Sequence, residues 1–363
     1  MTTAGAARIA FVGAGNHATE SLYPNIAHVP EFGLVAVCDL NAEKARSVAR
    51  RFGAPRSFTN VEAMLDAARP QGVCVCGPPR MQHEVALKVI RRGIPVFVEK
   101  PPAPTLAQAE ELAVAARRHN TWGMVGFMKR FAPANLVARQ YMSNPAFGRL
   151  SSISLIHGCG PYQDLRQMLL FNGIHMLDLA YFLAGDVTSL VAFAYSDGSG
   201  TQAVSTTMQF AGGHVGHLNM NSAHHWTDCF EQTYVSGSNC ALLIDASRSV
   251  EVMAQRFRFA EISDTQLFGW SSRYYVSGNM AGWAAGGHYT RGYWGELRQF
   301  ARAILELNPP APSFDDGVAA MRLIDCILTS IQTAAPVAVS ASGPRGTTHQ
   351  SYDSDTSSSR TIL

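Results

Sequence analysis

Between residue 8 and about residue 126, short β-branched and apolar runs alternate with longer amphipathic stretches, and this alternation restricts the fold more than any other feature of the chain. The runs are Arg8–Val12, Leu34–Cys38, Gly72–Cys76, Pro95–Val98 and Gly123–Phe127. Helical patterns lie at about 16–28, 41–52, 60–68, 81–92 and 105–119, the last announced by Pro104-Thr105 and Gln108. A chain that alternates in this way closes into a doubly wound parallel sheet with right-handed crossovers. Its ligands sit beyond the carboxyl ends of the strands.

After about residue 130 the rhythm changes. A helical pattern near 133–143 leads through Gly148 to a strand at 150–157, a loop, and a helix at about 173–184. Strand-like stretches then follow without helices between them, at 187–195, 202–210, 214–221, 230–236, 240–245, 249–254 and 257–262. Such a series predicts a large, open, mostly antiparallel or mixed sheet in an α+β domain. Two last helical patterns, at about 291–306 and 315–333, are expected to pack back on the body, and the Ser-, Thr- and Gly-rich segment from Ser340 reads as a disordered tail. The expected division is an α/β domain over 1–130, an α+β domain over 131–336 and a flexible tail over 337–363. At roughly 100–200 residues per domain, a length of 363 residues agrees with two domains.

Composition narrows the function classes. A net charge of +2, with no arginine-dense stripe and no aromatic-interleaved basic segment, gives no electrostatic case for nucleic acid or an anionic membrane. No stretch approaches the ~20 apolar residues of a membrane span, and the apolar run Ile9 to Val12 is too short for a signal peptide. Seven cysteines, an odd number, argue against a disulfide framework, so reduced thiols and a cytoplasmic location are expected.

Gly13-Ala14-Gly15-Asn16-His17-Ala18 follows the first strand and opens the first helix, in the Gly-x-Gly-x-x-Gly/Ala pattern that binds dinucleotides in a Rossmann domain. Gly13 permits the tight turn, Gly15 lets the backbone approach a pyrophosphate at the helix N-terminus, and Ala18 allows close helix–strand packing. Asp39, at the end of the second strand, accepts the ribose hydroxyls of NAD and repels the extra phosphate of NADP. Leu40-Asn41 offers that phosphate no arginine, so NAD is expected rather than NADP. The alternative role for Asp39 is a cap on the helix starting near Asn41. The loop Cys76-Gly77-Pro78-Pro79, followed by Gln82 and His83, is expected to close over the cofactor, with His83 either beside it or simply a first-turn helix residue.

Glu99-Lys100-Pro101 places a lysine at the carboxyl end of a strand, in a chain with only Lys44, Lys88, Lys100 and Lys129. An ammonium there can hydrogen-bond a reacting oxygen. Together with the fingerprint, the loop around His83 and Gly126-Phe127-Met128-Lys129-Arg130-Phe131, this segment resembles the glucose–fructose oxidoreductase/inositol dehydrogenase/rhizopine-catabolism (Gfo/Idh/MocA) family, over nearly all of 8–335. The resemblance implies a Rossmann domain, a C-terminal domain whose sheet forms an oligomer interface, and NAD(P)-dependent chemistry on sugars or cyclitols. It also implies a cis peptide before Pro101, with Glu99 and Lys100 at the cofactor.

Asn172-Gly173-Ile174-His175-Met176-Leu177-Asp178 resembles the family segment with the catalytic histidine. His175 is thus the general-base candidate; its alternative role is a polar residue at a helix start near an Asn172 cap. Many members carry aspartate where this chain has Phe171, and asparagine is frequent at Met128, which leaves Lys100 and His175 as the matched catalytic pair. Tyr162, Asp164, Arg166, Lys129, Arg130 and Asn172 are candidate substrate contacts. Adjacent residues of a strand face opposite sides, so His224-His225-Trp226 is not expected to bind a metal. The resulting expectation is an NAD-dependent dehydrogenase or ketoreductase of a sugar, aminosugar or cyclitol, assembled as a homo-oligomer (dimer or tetramer). NAD-assisted glycoside hydrolysis and a catalytically silent dinucleotide-binding regulator are the alternatives.

Overall fold

The computed structural model describes residues 5–198, 200–224, 230–254, 270–275 and 288–340. Strands β1 (Ala7–Val12), β2 (Phe32–Cys38), β3 (Ser57–Phe58), β4 (Gly72–Val75), β5 (Val96–Glu99) and β6 (Gly123–Gly126) form one sheet in the order β3-β2-β1-β4-β5-β6, with every pair parallel. All residues of β4, β5 and β6 are buried, as expected of a parallel sheet covered on both faces. Ala10, Val12, Val73, Val75 and Val98 pack under the helices Val61–Ala68, Pro79–Arg91 and Leu106–Arg118. Ile9, Phe11, Cys74, Phe97 and Met124 face the opposite way, toward the first helix and the helix Tyr293–Glu306. The latter does pack back on the first domain, with Ile304 and Phe300 filling the space beside Gly72.

Local chemistry sets the helix starts. Asn41, Asn60 and Thr105 each accept a backbone N–H from the first turn of the following helix. The first helix differs from a regular amphipathic one by a π-helical turn at Ala18–Leu22. Pro24 cannot donate a backbone hydrogen bond, and the Tyr23 N–H reaches back to the Ala18 carbonyl.

The second sheet comprises β7 (Leu150–Gly158), β8 (Val187–Ser196), β9 (Gln202–Phe210), β10 (Val215–Asn221), β11 (Phe230–Gly237), β12 (Cys240–Asp245), β13 (Ser249–Ala254), β14 (Trp270–Tyr275) and β15 (Val337–Ala338), in the order β14-β13-β12-β11-β7-β10-β9-β8-β15. Its pairs are antiparallel except β7 with β10. Alternation puts Ile153, Leu155, Val204, Met208, Leu218, Met220, Val235 and Leu242 on the inner face, in one core with the helices Ile174–Ala184 and Phe314–Thr333. The short strands β3 and β15, and β14, were not anticipated. The strand expected at 257–262 and the tail beyond Ser340 lie outside the described residues.

The two domains meet at the turn Met128–Phe131, and here one expectation is corrected. Arg130, proposed as a substrate contact, is buried in a clamp: its Nε and a terminal nitrogen donate to both Asp178 oxygens at 2.9 and 2.6 Å, and it reaches Asp316 at 3.0 Å. Asp316 also completes a capping box with Ser313. Burial acts against the Arg130 charge, yet Asp178 and Asp316 outweigh it and raise the pKa above the ordinary arginine value. Removing one partner of such a buried network leaves an uncompensated charge. Asp178→Ala is therefore expected to lower unfolding free energy by about 3–5 kcal/mol, measured by urea titration of the full chain.

Candidate active site

The glycine loop is built against β4. Gly13 has φ +111°, and a Cβ there would collide with the Cys76 carbonyl, so only glycine fits. The Tyr23 hydroxyl donates to the Gly13 carbonyl at 3.0 Å. Asp39 accepts the Ala14 N–H at 2.8 Å through one oxygen and the Asn41 N–H at 2.9 Å through the other. Helix capping falls to the Asn41 side chain, so Asp39 braces the glycine loop instead. Gly15, Asn16 and His17 are exposed, and a Cβ on Gly15 would meet nothing within 4 Å, which leaves an open flank beside the loop backbone. That opening and the nearby carboxylate fit a dinucleotide.

Gln82 joins the next two loops. Its amide oxygen accepts the Gly77 N–H at 3.1 Å, and its amide nitrogen donates to the carbonyls of Glu99 and Pro101, both at 2.7 Å. Pro78 is exposed beside Gly77, and the Lys100–Pro101 peptide is cis, as the resemblance implied. His83 is placed differently from the expectation that set it beside the cofactor. It lies between two helices, with Nε2 at 2.9 Å from Glu111, because its position on the helix turns it away from the loop that Gln82 reaches.

Glu99 is buried; one oxygen accepts the Lys100 N–H at 3.0 Å and the other lies 3.4 Å from His17 Nε2. Lys100 Nζ donates to the Phe171 carbonyl at 3.2 Å. Burial lowers the Lys100 pKa, against an opposing pull from Glu99. Behind this pair sits Glu296, fully buried, with neither carboxylate oxygen hydrogen-bonded among the described residues. Burial, then the charge of Glu99, holds its pKa well above the usual carboxylate range.

The helix carrying His175 begins earlier than expected. Asp164 caps it by accepting the Gln167 N–H at 2.8 Å, and helical structure runs through Leu165–Met168, a π-helical turn at Leu169–Gly173 and Ile174–Ala184. Asn172 is therefore no cap; its amide donates to the Tyr162 hydroxyl at 2.9 Å, and Tyr162 stacks on Phe171 at 6.4 Å. Arg166 pairs with Asp325 at 3.1 Å. His175 is buried mid-helix, and its Nδ1 has no hydrogen-bond partner among the described residues. Burial, then Lys100, Lys129, His157 and His17, hold its pKa well below the ordinary imidazole value. A neutral imidazole of this kind can accept a proton.

Two residues absent from the sequence reading adjoin Lys129 and act on this site. His157 on β7 and Glu231 on β11 are cross-strand partners, and Glu231 forms an ion pair with Lys129. Both sit on the inward phase of alternating strands, His157 after Ile153 and Leu155, and Glu231 before Thr233 and Val235. A polar residue on an otherwise apolar phase was the signal available. Burial, then Lys129, hold the His157 pKa down to about 4. Burial would raise Glu231, but Lys129 and His157 bring it below the usual value. His224 stacks on Phe230 at 6.2 Å, while His225 and Trp226 lie outside the described residues.

Two family models match the chain: the Gfo/Idh/MocA oxidoreductase family, NAD-binding Rossmann fold, over residues 7–127, and the C-terminal alpha/beta domain of the same family over 168–339. The chain is 31% identical to D-glucoside 3-dehydrogenase of Escherichia coli over 196 residues, 49% of this chain and 54% of that protein. It spans about half the length of the curated relatives of this kind that it matches. A dehydrogenase structure from Chromobacterium violaceum superposes with a TM-score of 0.82 at 25% identity, covering 91% of this chain and 96% of that one. A levoglucosan dehydrogenase in complex with NADH and L-sorbose shares the fold, with a TM-score of 0.78 at 21% identity over 92% and 98% of the two chains.

His157 carries a pH consequence. Neutral in the fold down to about pH 4 but protonated in the unfolded chain below the ordinary imidazole pKa of 6.5, it contributes stability that is lost as pH falls through that window. Urea unfolding at pH 7.5 and 5 is expected to show His157→Phe recovering about 2 kcal/mol of the acid-side loss.

Proposed function

The chain belongs to the Gfo/Idh/MocA oxidoreductase family, and from that premise we propose that it is an NAD-dependent dehydrogenase or ketoreductase. Its substrate is a secondary alcohol or ketone of a sugar, aminosugar or cyclitol. The observation that carries this reading is that Lys100, at the carboxyl edge of β5, reaches the Phe171 carbonyl four residues before the buried His175 and acts on that imidazole electrostatically. Lys100 donates a hydrogen bond to the substrate oxygen and stabilises the charge that develops there. His175 takes the hydroxyl proton in oxidation and returns it in reduction. Gly13, Gly15, Asn16, His17 and Asp39 hold the dinucleotide, with Gly77, Pro78 and Glu99 beside it; NAD bound there supplies the hydride acceptor.

A panel of sugars, aminosugars and cyclitols followed by NADH absorbance tests the reaction. Lys100→Ala and His175→Ala are each expected to lower turnover by about 10²–10⁴-fold while NADH affinity, measured by calorimetry, is kept. NAD(H) is expected to bind more tightly than NADP(H), because Asp39 faces the 2′-phosphate without an arginine partner. Near-normal turnover in both variants would remove the pair from the mechanism, and equal cofactor affinity would remove the role of Asp39.

The reading includes a homo-oligomer. Phe193 (67% exposed), Tyr195 (61%), Val215 (50%) and Tyr234 (40%) lie on the outward phase of the second sheet. Exposed apolar side chains on a sheet face favour association. Light scattering is expected to give a dimer or tetramer at micromolar concentration; a monomer would count against it.

A further inference from the structure

Lys129 lies on the turn Met128–Phe131, which packs against the helix carrying His175, while β7 packs on the same helix and brings His157. The turn is fixed on both sides. Asn135 donates to the Lys129 carbonyl at 2.8 Å, and the neighbouring Arg130 grips Asp178, one helical turn after His175. The Lys129 side chain is only 9% exposed, and its ammonium makes one hydrogen bond among the described residues, to Glu231. An ammonium carries three donors, so two are left over in a place with little water. His157 repeats the pattern: it is buried, with Nδ1 at 3.8 Å from Glu231 and neither ring nitrogen hydrogen-bonded among the described residues.

Buried donors without acceptors are costly unless a ligand completes them. The ligand chemistry that does so is a cluster of hydroxyl or carbonyl oxygens, and Lys129 acts electrostatically on both Lys100 and His175. We propose that Glu231 is a positioning residue, which holds the Lys129 ammonium as a second donor to an oxygen of the substrate beside the reacting carbon. This rests on the polyol reading above. Glu231 does not touch the substrate; it uses one of the three Lys129 donors, aims the other two, and balances the charge that burial would otherwise make prohibitive. Ser247, with its hydroxyl 3.5 Å from the other Glu231 oxygen, restrains the carboxylate from the far side.

The test is a double-mutant cycle on the NADH-loaded or NAD-supplied full chain, with Glu231→Gln, Lys129→Met and the two combined, read on the best wild-type substrate of the polyol panel. Each single variant is expected to lower kcat/KM about tenfold, mostly through KM, and the double variant to be no worse than Lys129→Met alone. Independent, merely structural effects would multiply. NADH affinity and melting temperature monitor folding, and if Glu231→Gln does not fold, the double variant carries the test because it removes both buried charges together. Calorimetric titration of the NADH-loaded protein with the same polyols separates the two readings. Normal turnover and polyol binding in the charge-removed variants overturn the role of Glu231 and leave the dehydrogenase reading standing. Polyol binding that needs Glu231, without turnover in wild type, overturns the dehydrogenase reading alone. Wild-type protein that neither binds nor turns over any polyol overturns both.

Discussion

The buried guanidinium of Arg130 is the contact on which the rest of the arrangement depends. It sits on the turn that leaves the parallel sheet, and its two carboxylate partners come from the helix of His175 and from the helix Phe314–Thr333. Three elements far apart in sequence are thereby held in one geometry. Neither domain alone contains the candidate site, since Lys100 directly follows β5 while His157, His175 and Glu231 belong to the second domain. Bidentate pairing also restricts rotation as well as distance, so the helix cannot turn without losing a bond to Asp178.

The parallel sheet was legible in the sequence because burial on both faces demands nearly continuous apolar runs, and β4, β5 and β6 are such runs. The glycine loop was legible for a similar reason: the carbonyl of Cys76 occupies the space of a Gly13 Cβ, and no other residue type satisfies that approach. The start of the His175 helix was not. The segment Ile174–Ala184 is buried almost all round, so it has no amphipathic boundary to mark its first turn, and the π-helical turn at Leu169–Gly173 breaks the period on its N-terminal side. Asp164 was read as a candidate substrate contact, and its local role is that of a cap.

Residues of the candidate site contributed by the second sheet were hidden for a different reason. Strand alternation marks His157 and Glu231 as polar groups on an apolar phase, but it does not say which strands are neighbours. β7 and β11 are separated by some seventy residues of chain and joined by register alone. Local periodicity carries no information on pairing across that separation. His83 shows the converse limit, since a histidine beside a glycine-proline loop looked poised over the cofactor, and helix geometry turned it to Glu111.

Protonation among these groups follows one rule. Buried groups whose opposite charge in contact outweighs burial keep their charge: Glu231 beside Lys129, and Arg130 beside Asp178 and Asp316. The groups for which burial outweighs any opposite charge are driven neutral by the loss of water: His157, despite Glu231 at 3.8 Å, His175 and Glu296. The second set includes the proposed base. Selective pairing separates the two sets, a combination that water alone cannot maintain, because in water an imidazole gains its proton near pH 6.5. The missing carboxylate at Phe171 fits the same rule: an anion four residues before His175 would favour the imidazolium, whereas Phe171 turns its ring onto Tyr162 and adds no charge.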